Sequence, residues 1–135
     1  MASVAVDKLK EIAVQIAPKY DLKMAILYGS QAAGTAREDS DIDIAVLGNR
    51  MLGLGDLIEI ADEFGARLGV NMVDVKSLHR TDPLFRQQVA KKGILLFGEA
   101  RDFISFKIYA FRDYVESASL FRLKEEMVKK RIAKS

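Results

Sequence analysis

The segment from Met24 to Leu47 constrains the chain more than any other. Met24-Ala25-Ile26-Leu27-Tyr28 is an apolar run of strand length, stopped by Gly29-Ser30. Ten residues further on, Asp41-Ile42-Asp43-Ile44-Ala45-Val46-Leu47 opens with acid and isoleucine in alternation, the pattern of a second strand. Successive side chains of a strand point to opposite faces, so Asp41 and Asp43 share one face and Ile42 and Ile44 the other. Two carboxylates one strand-step apart raise one another's pKa. A bound cation removes that penalty, and oxygen ligands of this kind suit Mg²⁺ or Mn²⁺. The glycine allows a tight turn and close approach of a ligand. Ser30 can cap a short helix through Gln31 to Thr35, or donate its hydroxyl to a phosphate, beside the free N–H groups of a helix start.

The remaining segments alternate between helical and extended patterns. Val6, Leu9, Ile12, Ala13 and Ile16 recur at helical spacing, with Pro18 ending that helix nearby. Leu54, Leu57, Ile58, Ala61, Phe64 and Leu68 define an amphipathic helix terminated by Gly69. Val70 to Val75 reads as a third strand. Asp82 is placed to cap a helix with Pro83 in its first turn, running to about Lys92 and stopping at Gly93. Ile94-Leu95-Leu96-Phe97 is a fourth short strand, and from Arg101 to Lys134 nothing interrupts a helical pattern. The expected product is an α+β fold: a small mixed sheet with helices on one face, the other face free for chemistry, and a long C-terminal helix. No repeat or linker divides it, so we expect a single domain over 1–135, with a core in 1–98 and a helical extension in 99–135.

A third acid is expected beside the first two, and Asp74 fits, because an aspartate inside the run Met72-Val73-Asp74-Val75 is unusual for a strand. Three acids on neighbouring strands can hold two metal ions about 3.5–4 Å apart. One ion would lower the pKa of an attacking hydroxyl, and the other would stabilise a triphosphate and its leaving group. Asp74 could also take the hydroxyl's proton or orient it. The alternative for the whole constellation is a turn glycine, a capping serine and solvated aspartates, with Asp74 paired to a lysine or arginine. His79, the only histidine, reads as an exposed loop residue. Arg37 and Arg80 read as surface residues that could also touch phosphates. Of the aromatic stripe Phe103, Phe106, Tyr109, Phe111 and Tyr114, most reads as core packing and the remainder as a patch for a partner or a second copy of the chain.

Net charge is only +2, which argues against a dedicated nucleic-acid-binding domain. The distribution is uneven: residues 1–100 carry 12 basic and 14 acidic side chains, and residues 101–135 carry 9 and 5. With no cysteine there is no disulfide framework or thiolate metal site. No signal peptide and no stretch long enough to cross a bilayer stands out, so the expected address is the cytoplasm, away from membranes.

The stretch Leu27-Tyr28-Gly29-Ser30-Gln31-Ala32-Ala33-Gly34, followed by Asp41-Ile42-Asp43-Ile44-Ala45-Val46, resembles the signature of the DNA polymerase beta-type nucleotidyltransferase superfamily. It is most similar to the minimal nucleotidyltransferases that act as antitoxins beside HEPN-domain toxins. The similarity continues through Val73-Asp74-Val75, Asp82-Pro83-Leu84 and Gly93-Ile94-Leu95-Leu96-Phe97, over about the first hundred residues. The resemblance implies a polymerase beta palm-like fold, with Gly29 and Ser30 binding the triphosphate and Asp41, Asp43 and Asp74 as catalytic, metal-ligating carboxylates for two Mg²⁺ or Mn²⁺ ions. Some relatives carry two aspartates three residues apart in the third strand. Here Asn71 stands at the earlier position, and the spacing to Pro83 makes Asp74 the better match. The implied activity is transfer of AMP from ATP to a partner protein's hydroxyl, a tyrosine of the HEPN toxin. The alternatives are transfer to a small molecule or an RNA end, or a module that binds nucleotide or toxin without chemistry.

Overall fold

The computed structural model describes residues 6–34, 41–70, 72–79 and 82–134. The elements run α1 (Val6–Tyr20), β1 (Leu22–Tyr28), α2 (Gly29–Ala33), β2 (Ile42–Gly48), α3 (Leu54–Leu68), β3 (Val73–Ser77), α4 (Pro83–Lys92), β4 (Ile94–Phe97) and α5 (Ala100–Lys134). The strands form one mixed sheet in the order β3-β2-β1-β4. β1 pairs antiparallel with both β2 and β4, whereas β2 and β3 run parallel, joined by the α3 crossover.

Alternation along the strands sorts the core into two layers. Leu27 of β1, Ile42, Ile44 and Val46 of β2 and Val75 of β3 point to one face. There they meet Leu9, Ile12, Ala13 and Ile16 of α1 and Ile60 and Phe64 of α3. Met24 and Ile26 of β1 and Ala45 of β2 point to the other, where Val89 and Ala90 of α4 and Phe106 and Ala110 of α5 cover them. The second face is therefore not bare, as the sequence suggested. α4 and the start of α5 close its middle, because the apolar side chains of β1 on that side need cover as much as those on the other. The end where β1 finishes and β2 and β3 begin carries the acidic side chains Asp43 and Asp74 on this face.

Several boundaries are set by contacts between elements. α1 runs two residues past Pro18, since the added residues bury Tyr20, which is 3% exposed. It ends where Asp21 takes a left-handed φ of 51°. β3 begins at Val73 and not at Val70, because the Val70 N–H closes the end of α3 by bonding the Gly65 carbonyl at 3.0 Å. Gly69 supplies the left-handed cap there, with φ 74°. At the start of α3, the Asp56 carboxylate accepts from the Gly53 N–H at 2.9 Å, which is half of a capping box, glycine having no side chain to return the bond. α4 starts as its sequence predicts: the Asp82 carboxylate accepts from the Phe85 N–H at 2.9 Å, and Pro83 occupies the first turn.

α5 behaves differently along its 35 residues. Phe106 and Ala110 pack into the second core layer and Phe103 lies against it, but Tyr109 and Phe111 are 58% and 60% exposed. Less of the aromatic stripe is core than expected, since one helix can offer only one side to the sheet. From Ser119 to Ala133 every residue is exposed. Among the described residues no helix is long and apolar enough to cross a membrane.

Candidate active site

Strand register assembles the site. Tyr28 on β1 lies opposite Asp43 on β2, and Asp43 lies opposite Asp74 on β3. The three residues form one row across neighbouring strands, about 4.8 Å apart at each step, with side chains on the same face. β2 is started beside β3 by a backbone bond from the Ile42 N–H to the Met72 carbonyl at 2.8 Å. Asp41 precedes β2 and is exposed at the open end of the row. Asp43 and Asp74 are half-buried.

The electrostatics follow from this crowding. Burial pushes the Asp43 carboxyl above the usual carboxylate range, and the charges of Asp74 and then Asp41 push it further, against a smaller opposing pull from Lys76. The Lys76 ammonium stands 3.9 Å from the Asp74 carboxylate and 5.6 Å from the centre of the Phe85 ring. The ion pair anticipated as the bland role for Asp74 is thus present, as a loose contact between groups 56% and 48% exposed. A pair so open to water holds Asp74 weakly.

Tyr28 closes the inner end of the row. Its ring meets Phe85 edge to face, with centroids 5.4 Å apart and planes at 86°. Its hydroxyl is buried and finds no hydrogen-bond partner among the described residues. Burial, and then the charges of Asp43 and Asp74, push its pKa far upward, so the phenol stays neutral. Tyr28 and Lys76 were not singled out from sequence. The period-two spacing of Lys76 from Asp74, and the adjacency of Tyr28 to Gly29, were the available signals.

Gly29 follows directly, with φ +74°. A Cβ there would collide with the Asp43 carboxylate, so the turn and the acid occupy adjoining space that only glycine leaves open. α2 begins at Gly29 with Tyr28 as its N-cap residue and no side-chain cap bond, so Ser30 lies inside the first turn and does not cap it. Ser30 is half-buried and Gln31 buried.

The structure therefore brings Gly29, Asp43 and Asp74 together, with Ser30 next in the chain and Asp41 at the rim. Among the described residues no three histidine, cysteine or acidic side chains form a compact metal cage. The donor set nonetheless fits a hard divalent cation in type: it is oxygen only, and Asp43 is destabilised as an anion by burial and then by two neighbouring carboxylates. Arg37, Asn71 and Arg80 lie outside the described residues. His79 is partly buried and not the exposed loop residue expected. Its Nδ1 is enclosed without a partner among the described residues, and its backbone N–H donates to the Ser77 hydroxyl at 3.1 Å.

Comparison with known proteins bears on the family and the fold. A protein adenylyltransferase, MntA, of Shewanella oneidensis is 35% identical over 81 residues, 60% of this chain and 58% of that relative. The match thus spans less than two thirds of the relative's length. A chain in a crystal structure of a toxin–antitoxin with AMP-PNP superposes with a TM-score of 0.76 at 25% identity, over 89% of this chain and 98% of that one. A chain in the complex of a tri-AMPylated Shewanella oneidensis HEPN toxin with its MNT antitoxin shares the fold, with a TM-score of 0.72 at 22% identity over 93% and 99%. The model of the polymerase beta nucleotidyltransferase domain matches residues 8–102, the stretch that holds the whole acid row and the glycine turn, and the chain belongs to that family.

Proposed function

We propose that this protein transfers AMP from ATP to a hydroxyl of a partner protein, and that the partner is a HEPN-type toxin silenced by the modification. The observation that carries the reading is the row Asp43–Asp74 beside Gly29, whose missing side chain leaves room against the Asp43 carboxylate. The name of the Shewanella relative and the nucleotide analogue in the similar toxin–antitoxin structure support adenylyl transfer and a toxin acceptor. The 1–98 core is read as the catalytic part of one domain, with 99–135 as its extension.

In this reading Asp41, Asp43 and Asp74 would hold Mg²⁺ or Mn²⁺, two ions in all, which would supply charge neutralisation at the triphosphate and a more acidic acceptor hydroxyl. Gly29 and Ser30 receive the phosphates through backbone N–H groups and the serine hydroxyl. The acceptor oxygen bonds to the α-phosphorus, the bond from that phosphorus to the bridging oxygen breaks, and pyrophosphate leaves. Asp74, whose side chain is 48% exposed and held only loosely by Lys76, is placed to take the acceptor's proton.

The test uses α-labelled ATP, the purified chain and three acceptors: the protein encoded next to it, RNA and small-molecule hydroxyls. Label on the protein acceptor is the expected result. Label on RNA or a small molecule would reassign the acceptor, and no label on any of them would leave a binding module without chemistry.

A further inference from the structure

The outer half of α5 leaves the packed body: among the described residues it contributes nothing to either core layer. From Ser119 to Ala133 every residue is exposed, and Leu120, Phe121, Leu123, Met127 and Val128 are between 52% and 66% exposed. A helix projecting without tertiary cover is marginal in water, and exposed apolar side chains in such density mark an interaction surface. Its charges are ordered along its length. At the inner end Arg112 stands beside Asp113, which is already paired with Arg86, so the net acidic charge presented there is that of the exposed Glu116. The apolar middle carries two basic residues, Arg122 and Lys124, against two acidic ones, Glu125 and Glu126. Lys129, Lys130 and Arg131 lie at the outer end.

An acidic–neutral–basic sequence along one helix is complementary to itself when reversed. We infer that this half of α5 is a self-association surface, occupied by the same half of a second copy running antiparallel about a two-fold axis near Leu123. In that arrangement Glu116 of each copy faces Lys130 at the basic end of the other, and Leu120 and Phe121 face the region of Met127 and Val128. A parallel pair would set like charges against like. Residues 113–134 extend about 33 Å at 1.5 Å per residue, and antiparallel packing carries the two domain bodies to opposite ends, clear of one another. The interface is isologous, and it leaves both acid rows accessible.

The test is sedimentation velocity of the full chain at micromolar concentration and low salt, with circular dichroism to confirm that each variant is helical. Wild type is expected to sediment as a dimer that dissociates as salt is raised. Glu116→Lys, and separately the double change Lys130→Glu with Arg131→Glu, are each expected to weaken self-association by at least about tenfold. An equimolar mixture of the two variants is expected to recover wild-type association, because each supplies the charge the other has lost. A wild-type chain that is monomeric alone and assembles only with a different protein overturns the inference. So does a dimer indifferent to both reversals, or a mixture no tighter than its components. Transfer of label is read independently of all of these.

Discussion

Asp43 is the residue on which chemistry and stability pull in opposite directions. Its carboxyl is held above the usual range by burial and by Asp74 and Asp41, so as an anion it opposes folding. A raised carboxyl pKa favours the folded state at low pH, and that contribution is lost as pH rises through the folded value. Asp43→Asn is therefore expected to abolish transfer of label from ATP while leaving the metal-free melting temperature at pH 7 unchanged or higher. A clearly lower melting temperature would give the side chain a role in the core and not in metal binding. Gly29→Ala should fail on both counts. The left-handed backbone alone costs a side chain about 1–2 kcal/mol, and the added Cβ runs into the Asp43 carboxylate. Urea unfolding should show a loss of at least about that size, together with lost transfer. At this scale much was legible in the sequence, because Gly29, Asp41, Asp43 and Asp74 are residues whose chemistry and spacing carry meaning alone. Tyr28 and Lys76 were not, since a tyrosine ending a strand and a lysine in an edge strand are ordinary until the register sets them beside Asp43 and Asp74.

At the scale of elements, patterns confined to a segment reproduced well, and boundaries set by a neighbour did not. α3, α4 and β4 begin and end where their caps and glycines indicate, because those signals are local. The end of α1 depends on Tyr20 reaching across to α3, where its hydroxyl donates to the Glu63 carboxylate; Lys19 and Arg67 lie 3.4 and 3.5 Å from the same group. No pattern within α1 reports that contact. The Tyr20 hydrogen bond first, and the nearby cations after it, hold the Glu63 carboxyl below its ordinary range against the opposing effect of burial. A lowered carboxylate pKa contributes stability that is present above the unfolded value and lost as pH falls through the folded one. Glu63→Gln should accordingly cost about 1.5 kcal/mol at neutral pH. The gap to wild type should close on acidification below the ordinary carboxylate range, followed by thermal melting across pH. A gap independent of pH would contradict it. Asp82→Ala should cost about 1 kcal/mol by chemical denaturation, through loss of the α4 cap. It should also loosen Phe85 against Tyr28.

The whole molecule divides its two tasks between separate regions. The sheet, α1 to α4 and the first turns of α5 build the packed body that carries the acid row; the rest of α5 adds surface but almost no packing. Removing residues 119–135 should therefore change the stability of the body by less than about 0.5 kcal/mol, while abolishing self-association. A large loss of stability on truncation would mean that the outer helix supports the core. The long helix was legible from its unbroken pattern, but where it leaves the body was not, because that depends on how far the small sheet extends beneath it.

The central claim is that carboxylates of β2 and β3 converge on divalent cations beside the Gly29 turn. It is tested most directly by anomalous diffraction from crystals grown with Mn²⁺ and a non-hydrolysable ATP analogue. The account predicts strong manganese peaks within coordination distance of Asp43 and Asp74, with the triphosphate lying along Gly29 and Ser30. Manganese bound elsewhere, or a triphosphate seated away from that turn, would contradict it.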